Sequence, residues 1–167
     1  ALGVDSIGLY LLHRPDPSVP YAESVGALRD LQLAGKVRHV GVSNVGVDEI
    51  DIARSLVAVA AVENELSPMF TRSIGEARHC ADHDIPFLAW APLGGRRTAA
   101  GISRACPWLC DLGHELAMTP QQAALLWVRA QGRTVVPIPG ATRPETIGAS
   151  VAALAAPLDL VTERLAQ

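Results

Sequence analysis

Residues 35–44 read GKVRHVGVSN: a glycine, a strand expected over 38–42, a polar pair at its end, and then the helical pattern of residues 47–56. That stretch lacks the period-two alternation of a half-exposed strand, which points to a strand covered by helices in a parallel sheet. The same unit recurs on both sides. Upstream, residues 7–12 (IGLYLL) form an apolar run, and a helical pattern over 21–34 places Val25, Leu28 and Leu31 on one face, with Gly35 as its stop. Downstream, strands are expected over 58–62, 86–90 and 135–138, and helices over 71–83, 108–117, 120–130 and 144–154. Thr119 and Pro120 give the third of these helices an N-cap and a first-turn proline. A longer connection covers 91–101, and the segment near 91–107 is the least regular and is expected to be the most mobile.

Composition narrows the class. The chain has 167 residues, 49% hydrophobic and 19% charged, with a mean hydropathy of +0.23, so it is too apolar for disorder. Its apolar runs are too short to span a bilayer. A net charge of -3 with scattered basic residues argues against nucleic-acid or anionic-membrane partners. Three sparse cysteines (Cys80, Cys106, Cys110) suit reduced thiols in a cytoplasmic protein. Nothing in the sequence divides residues 1–167, which read as a single domain. Lys36 is the only lysine, and Tyr10 and Tyr21 are the only tyrosines. Mechanisms that need a lysine or tyrosine therefore have few candidates.

Five β/α units suit either a complete doubly wound sheet or part of a TIM-type barrel, and periodicity does not choose between them. In both, ligands bind at the carboxyl ends of the strands, and here those ends are distinctive. LGVDSIGLYLLHRPD (2–16) ends its strand on His13, and GKVRHVGVSN ends on Ser43 and Asn44. VENELSP (62–68), FLAWAPLGG (87–95) and VVPIPGATRPE (135–145) complete the series. This ordered set resembles the aldo-keto reductase family over nearly the whole chain, from the fourth strand of its barrel to the helix after the eighth.

The resemblance implies an α/β fold of parallel (β/α) units from a TIM-type barrel, truncated at the N-terminal side. It implies reduction of an aldehyde or ketone by hydride transfer from NADPH, with NAD possible, and a small carbonyl compound as substrate. His13 matches the histidine that polarises the substrate carbonyl. Ser43 and Asn44 match the pair that holds the nicotinamide carboxamide, and Trp90 stands where an aromatic ring stacks on the nicotinamide. Leu93, Gly94 and Gly95 match the loop beneath the pyrophosphate, and Arg143 is the one cation left in the stretch that meets the adenosine end. Glu63 occupies a position that usually carries glutamine; a carboxylate accepts hydrogen bonds but donates none. The Asp, Tyr and Lys that complete the family's tetrad belong to strands before those matched here, and neither Lys36 nor Tyr10 is placed to replace them. The fragment alone is expected to be inactive. A non-catalytic nicotinamide-binding or scaffold module of the same fold is the alternative.

Plainer readings accompany each of these residues. A histidine ending a strand can be a core residue, Trp90 can be packing, and Ser43 and Asn44 are ordinary helix-entry residues. Arg96 and Arg97 suit a solvated loop as well as a phosphate contact. His79 and His83 have the i, i+4 spacing of a zinc-protease helix but lack its general-base glutamate, and no metal site is expected. Cys106 and Cys110 lack a second ligand pair.

Overall fold

The computed structural model describes residues 2–158, 161 and 162. Its strands are β1 (Ile7–Leu12), β2 (Val37–Ser43), β3 (Val59–Glu65), β4 (Phe87–Trp90) and β5 (Val135–Pro137). Its helices are α1 (Tyr21–Leu33), α2 (Val47–Leu56), α3 (Ile74–Asp82), α4 (Ile102–Ala105), α5 (Trp108–Glu115), α6 (Pro120–Arg129) and α7 (Pro144–Leu154). A single 3-10 turn, Ala99–Gly101, precedes α4. No helix among the described residues is long and apolar enough to cross a membrane.

The strands form one parallel sheet in the order β1-β2-β3-β4-β5. That order decides between the two architectures. A doubly wound sheet reverses direction partway so that helices cover both faces, whereas an unreversed order with crossovers of one hand keeps them on one face. The buried core agrees: Val40, Val42, Val62, Phe87, Ala89 and Val135 pack with Val25, Leu28, Ile50, Ala53, Ala77, Cys80 and Trp127 of the helices. Alternate strand residues point the other way. On that face Leu9 and Val136 are exposed, so it carries no covering layer of helices. The sheet is the singly wound, barrel type.

Several local expectations need correction. Leu31 of α1 is exposed rather than on the core face, because the face that meets the sheet is set by Val25 and Leu28. Ser43 and Asn44 do not cap α2. Its N-cap is Gly46, whose backbone N–H donates to the Glu49 carboxylate at 2.9 Å. The strand expected over 58–62 extends to Glu65, since polar Glu63, Asn64 and Glu65 still pair with Leu88, Ala89 and Trp90. The 71–83 helix begins only at Ile74. Thr119 does cap α6, in a reciprocal box with Gln122. The segment after β4 contains α4, which the Gly- and Arg-rich sequence concealed.

Gly41 lies where β2 is squeezed between its neighbours. A Cβ there would meet the Ala61 carbonyl oxygen at 2.6 Å and overlap the Leu11 side chain. Gly41→Ala is expected to destabilise the fold by about 1–3 kcal/mol through overpacking, read as a lower urea midpoint at unchanged slope. Cys80 supplies a second check. Burial, reinforced by the Glu76 charge, pushes its thiol up to about 12. The folded state then keeps a proton that the unfolded chain loses near pH 9. This contribution is present below about pH 9 and is lost as pH rises toward 12. Cys80→Ala should flatten the alkaline fall in unfolding free energy, and an unchanged slope would contradict the assignment.

Candidate active site and cofactor cavity

Because all five strands run parallel, their carboxyl ends share one edge of the sheet, and His13, Asn44, Trp90 and the chain after β5 gather there. His13 follows β1 and its side chain is exposed. Lys36 precedes β2 and so stands at the opposite edge, while Tyr10 pairs with Val40 inside the sheet. Neither is at the strand ends.

Asn44 has φ +57, a left-handed conformation that asparagine tolerates better than most residues. The turn is held by donated bonds. Its amide Nδ2 donates to the His13 carbonyl at 2.8 Å and to Ser43 Oγ at 3.1 Å. Ser43 Oγ donates to the Glu63 carbonyl at 2.6 Å, and the Asn44 backbone N–H reaches the same oxygen at 3.0 Å. Both amide hydrogens of Asn44 and the hydroxyl hydrogen of Ser43 are therefore engaged within the protein. What these side chains still offer a ligand is acceptor capacity, and the Glu63 carboxylate offers more of the same. Asn64, which the sequence reading passed over, is buried and closes the turn from behind. It accepts from Val45 N at 3.2 Å and donates to Val45 O at 2.7 Å.

After β4 the chain turns sharply at Ala91, φ +47, and at Gly94 and Gly95, φ +75 and +83. A Cβ at Gly94 would displace the flexible end of Met69, and the positive φ is what favours glycine there. Met69 and Leu93 pack against a second buried cluster formed by Ile102, Cys106, Leu109, Leu112, Ala123 and Ala124. This cluster anchors the loop to α4, α5 and α6.

Beside the loop opens a cavity of about 790 Å³, within the ~300–1,000 Å³ range of small-molecule and cofactor sites. Leu93, Gly95 and Arg96 line one wall, and Gly140, Ala141, Thr142, Arg143, Thr146, Ala149 and Ser150 line another. The structure thus brings Leu93, Gly95 and Arg143 to the same cavity and adds Arg96, while Gly94 of the same loop is not part of its lining. The first turn of α7 opens onto it with the positive end of its dipole; Pro144 has no N–H, the Thr146 and Ile147 N–H groups donate to Arg143 O, and Glu145 also lines the wall. Thr119, read in the sequence only as a cap, and Gln121, Gln122 and Leu125 of α6, which were not singled out, form the remaining wall. Gln121 Nε2 donates to Ala99 O and Gln122 Nε2 to Ala149 O, both at 3.1 Å. Two glutamine side chains therefore tie the three walls together. The Thr119–Gln122 capping spacing was the available signal, since it marks a helix entering beside the strand ends.

Ser43, Asn44, Glu63 and Trp90 lie outside this cavity's lining: Ser43 and Trp90 end β2 and β4, Asn44 follows β2, and Glu63 lies two residues inside the end of β3. Asn44 and Trp90 border a smaller recess of about 250 Å³ together with Glu65, Arg72 and Glu76.

Comparison with known proteins agrees with this architecture. The description of the aldo/keto reductase family matches residues 1–163, and the chain belongs to that family. "Probable aldo-keto reductase 1" of Glycine max is 33% identical over 94% of this chain and 53% of its own length. "Aldo-keto reductase yakc [NADP(+)]" of Schizosaccharomyces pombe is 31% identical over 92% of this chain and 54% of its own. Among solved structures, an aldo-keto reductase from Klebsiella pneumoniae in complex with NADPH superposes with a TM-score of 0.78 at 27% identity, covering 98% of this chain and 57% of that one. A thermostable aldo-keto reductase in complex with the inhibitor epalrestat gives 0.79 at 26% identity, covering 92% and 56%. The chain spans about half the length of the curated relatives it matches. Its fold is a set of parallel (β/α) units of the aldo-keto reductase barrel.

The Asn44 turn can be tested by stability. Asn44→Ala removes two donated bonds and puts alanine at positive φ, so it should cost about 1–3 kcal/mol. Asn44→Gly loses the same bonds but relieves the backbone and should cost less. Chemical denaturation in which the glycine variant is the weaker of the two would contradict this account.

Proposed function

We propose that the chain is one domain, the C-terminal portion of an NADPH-dependent carbonyl reductase, with its strands in the places of the fourth to eighth of the barrel. It provides the cofactor floor and the histidine that polarises the substrate. The observation that carries this reading is the cavity that joins the Leu93–Gly95 loop to Arg143 at the carboxyl edge of the sheet. Its size, its glycine loop, its two arginines and the α7 N-terminus fit a phosphate-bearing dinucleotide. The NADPH complex of the Klebsiella relative and the NADP(+) in the name of the yeast relative point the same way.

When bound, NADPH supplies the hydride that adds to the carbonyl carbon of an aldehyde or ketone. His13 donates a hydrogen bond to the carbonyl oxygen and stabilises the charge that develops on it. Backbone N–H groups of Leu93 and Gly95 would hold the pyrophosphate, the Gly94 N–H being bonded to Ala91 O at 2.7 Å, and Arg143 would hold the 2′-phosphate. Trp90 would stack against the nicotinamide face. Ser43, Asn44 and Glu63 would surround the carboxamide and offer acceptors to its NH₂ group. The alkoxide formed needs a proton, and the tyrosine and lysine that would deliver it belong to the part of the barrel that precedes these strands.

Two substitutions in the intact protein test the assignment at opposite ends of the cofactor. Arg143→Ala should lower the NADPH/NADH ratio of specificity constants by roughly 10- to 100-fold, as expected for one charge-assisted contact, while leaving turnover at saturating NADPH nearly intact. An unchanged ratio would remove Arg143 from the phosphate site. Glu63→Gln should tighten NADPH binding near neutral pH, because a side-chain amide supplies the carboxamide oxygen with the donor that Ser43 and Asn44 have engaged elsewhere. The gain expected from one hydrogen bond is about 0.5–1.5 kcal/mol, measured by fluorescence titration. Equal or weaker affinity would place Glu63 away from the carboxamide.

A further inference from the structure

On the outer, helical side of the sheet, Asp51 of α2 approaches His79 of α3 and His83, which ends α3 as its C-cap. One ligand atom from each of the three lies within 4.8 Å of the others. Asp51 Oδ1 is 2.9 Å from His79 Nε2, and the two imidazoles meet edge to face with centroids 4.6 Å apart. None of these residues lines the cofactor cavity. The i, i+4 spacing alone gave two ligands and no reason to expect a metal. The third comes from a neighbouring helix 28 residues earlier in the chain, and only folding supplies it.

Arg54 shows what the cluster attracts. Its guanidinium donates to Asp51 Oδ1 at 2.7 Å and contacts His83 Nδ1 at 2.9 Å. A guanidinium has no acceptor, so His83 Nδ1 must present a lone pair, as a metal ligand does. A cation thus already occupies the space that the carboxylate and an imidazole face. The Arg54 side chain is at the surface and can swing outward.

We propose that Asp51, His79 and His83 bind a divalent transition ion of the Zn²⁺ class, which displaces the Arg54 guanidinium and staples α2 to α3. Two imidazole nitrogens and one carboxylate oxygen favour Zn²⁺, Co²⁺, Ni²⁺ or Cu²⁺ over Mg²⁺ and Ca²⁺, with water completing the coordination. Metal–ligand bonds of about 2.0–2.2 Å require the donors to close up by roughly 1 Å, which side-chain rotation at the surface permits. The missing glutamate matters for hydrolysis, not for a staple.

The test is Zn²⁺ titration calorimetry on the intact protein, with Mg²⁺ as control and Cu²⁺ paramagnetic resonance as an independent readout. The proposal expects saturable 1:1 Zn²⁺ binding, no Mg²⁺ binding, and nitrogen hyperfine coupling from two imidazoles in the Cu²⁺ spectrum. His79→Ala and His83→Ala should each weaken Zn²⁺ binding by about tenfold or more. Arg54→Ala should tighten it, because the competing cation is gone. A purely structural ion-pair network predicts the reverse sense or no change for Arg54→Ala. Absence of saturable Zn²⁺ binding, unaltered affinity in both histidine variants, or a Cu²⁺ spectrum without nitrogen coupling would overturn the proposal. The resonance measurement on the unaltered protein decides the matter even if a variant fails to fold.

Discussion

Everything at the candidate site depends on the unreversed parallel order of the five strands. Each crossover helix returns the chain to the same starting edge, so each strand delivers its last residue to the same opposite edge. Segments as distant as His13 and Arg143 thereby become neighbours of one edge without any long-range motif in the sequence. The same order leaves one face of the sheet without helices. Leu9 and Val136 are exposed there, while the helix-facing residues Val40, Val62 and Phe87 are fully buried.

The two ends of the site differ in chemistry. Around β2 and β3 the donors are engaged internally: Asn44 on His13 and Ser43, Ser43 on Glu63. That end is rigid and rich in acceptors. The cavity by α6 and α7 has the opposite character, with Arg96, Arg143 and a helix N-terminus facing inward and Gln121 and Gln122 bridging its walls. A ligand that spans both must offer donors at one end and negative charge at the other. A nicotinamide dinucleotide phosphate has both, in its carboxamide NH₂ and its phosphates.

Much of this was legible in the sequence. Strand and helix order follows from apolar runs and caps, and α7 was bounded correctly by Pro144 and Leu154. Composition and period could not choose between a doubly wound sheet and a barrel segment, because both bury similar strands. That choice lies in strand order, a long-range property. The strand-end residues were legible through their resemblance to a family, whereas Asn64 was not. Its importance comes from a buried pair of bonds to Val45, and asparagine in that context reads as a turn residue. Gln121 and Gln122 were missed because a glutamine in a helix's first turn usually signals only a cap. The Asp51–His79–His83 cluster was out of reach for a related reason, since adjacency of α2 and α3 is a product of packing.

The most direct test of the account is a crystal structure of the intact protein with NADP⁺. The account predicts an extended dinucleotide along the carboxyl edge of the sheet, with the nicotinamide against Trp90, the pyrophosphate over Gly94 and Gly95, and the 2′-phosphate within hydrogen-bond reach of Arg143. A dinucleotide bound on the helical face or at the amino edge, or one whose adenosine end lies outside the cavity between the Leu93–Gly95 loop and α7, would contradict it.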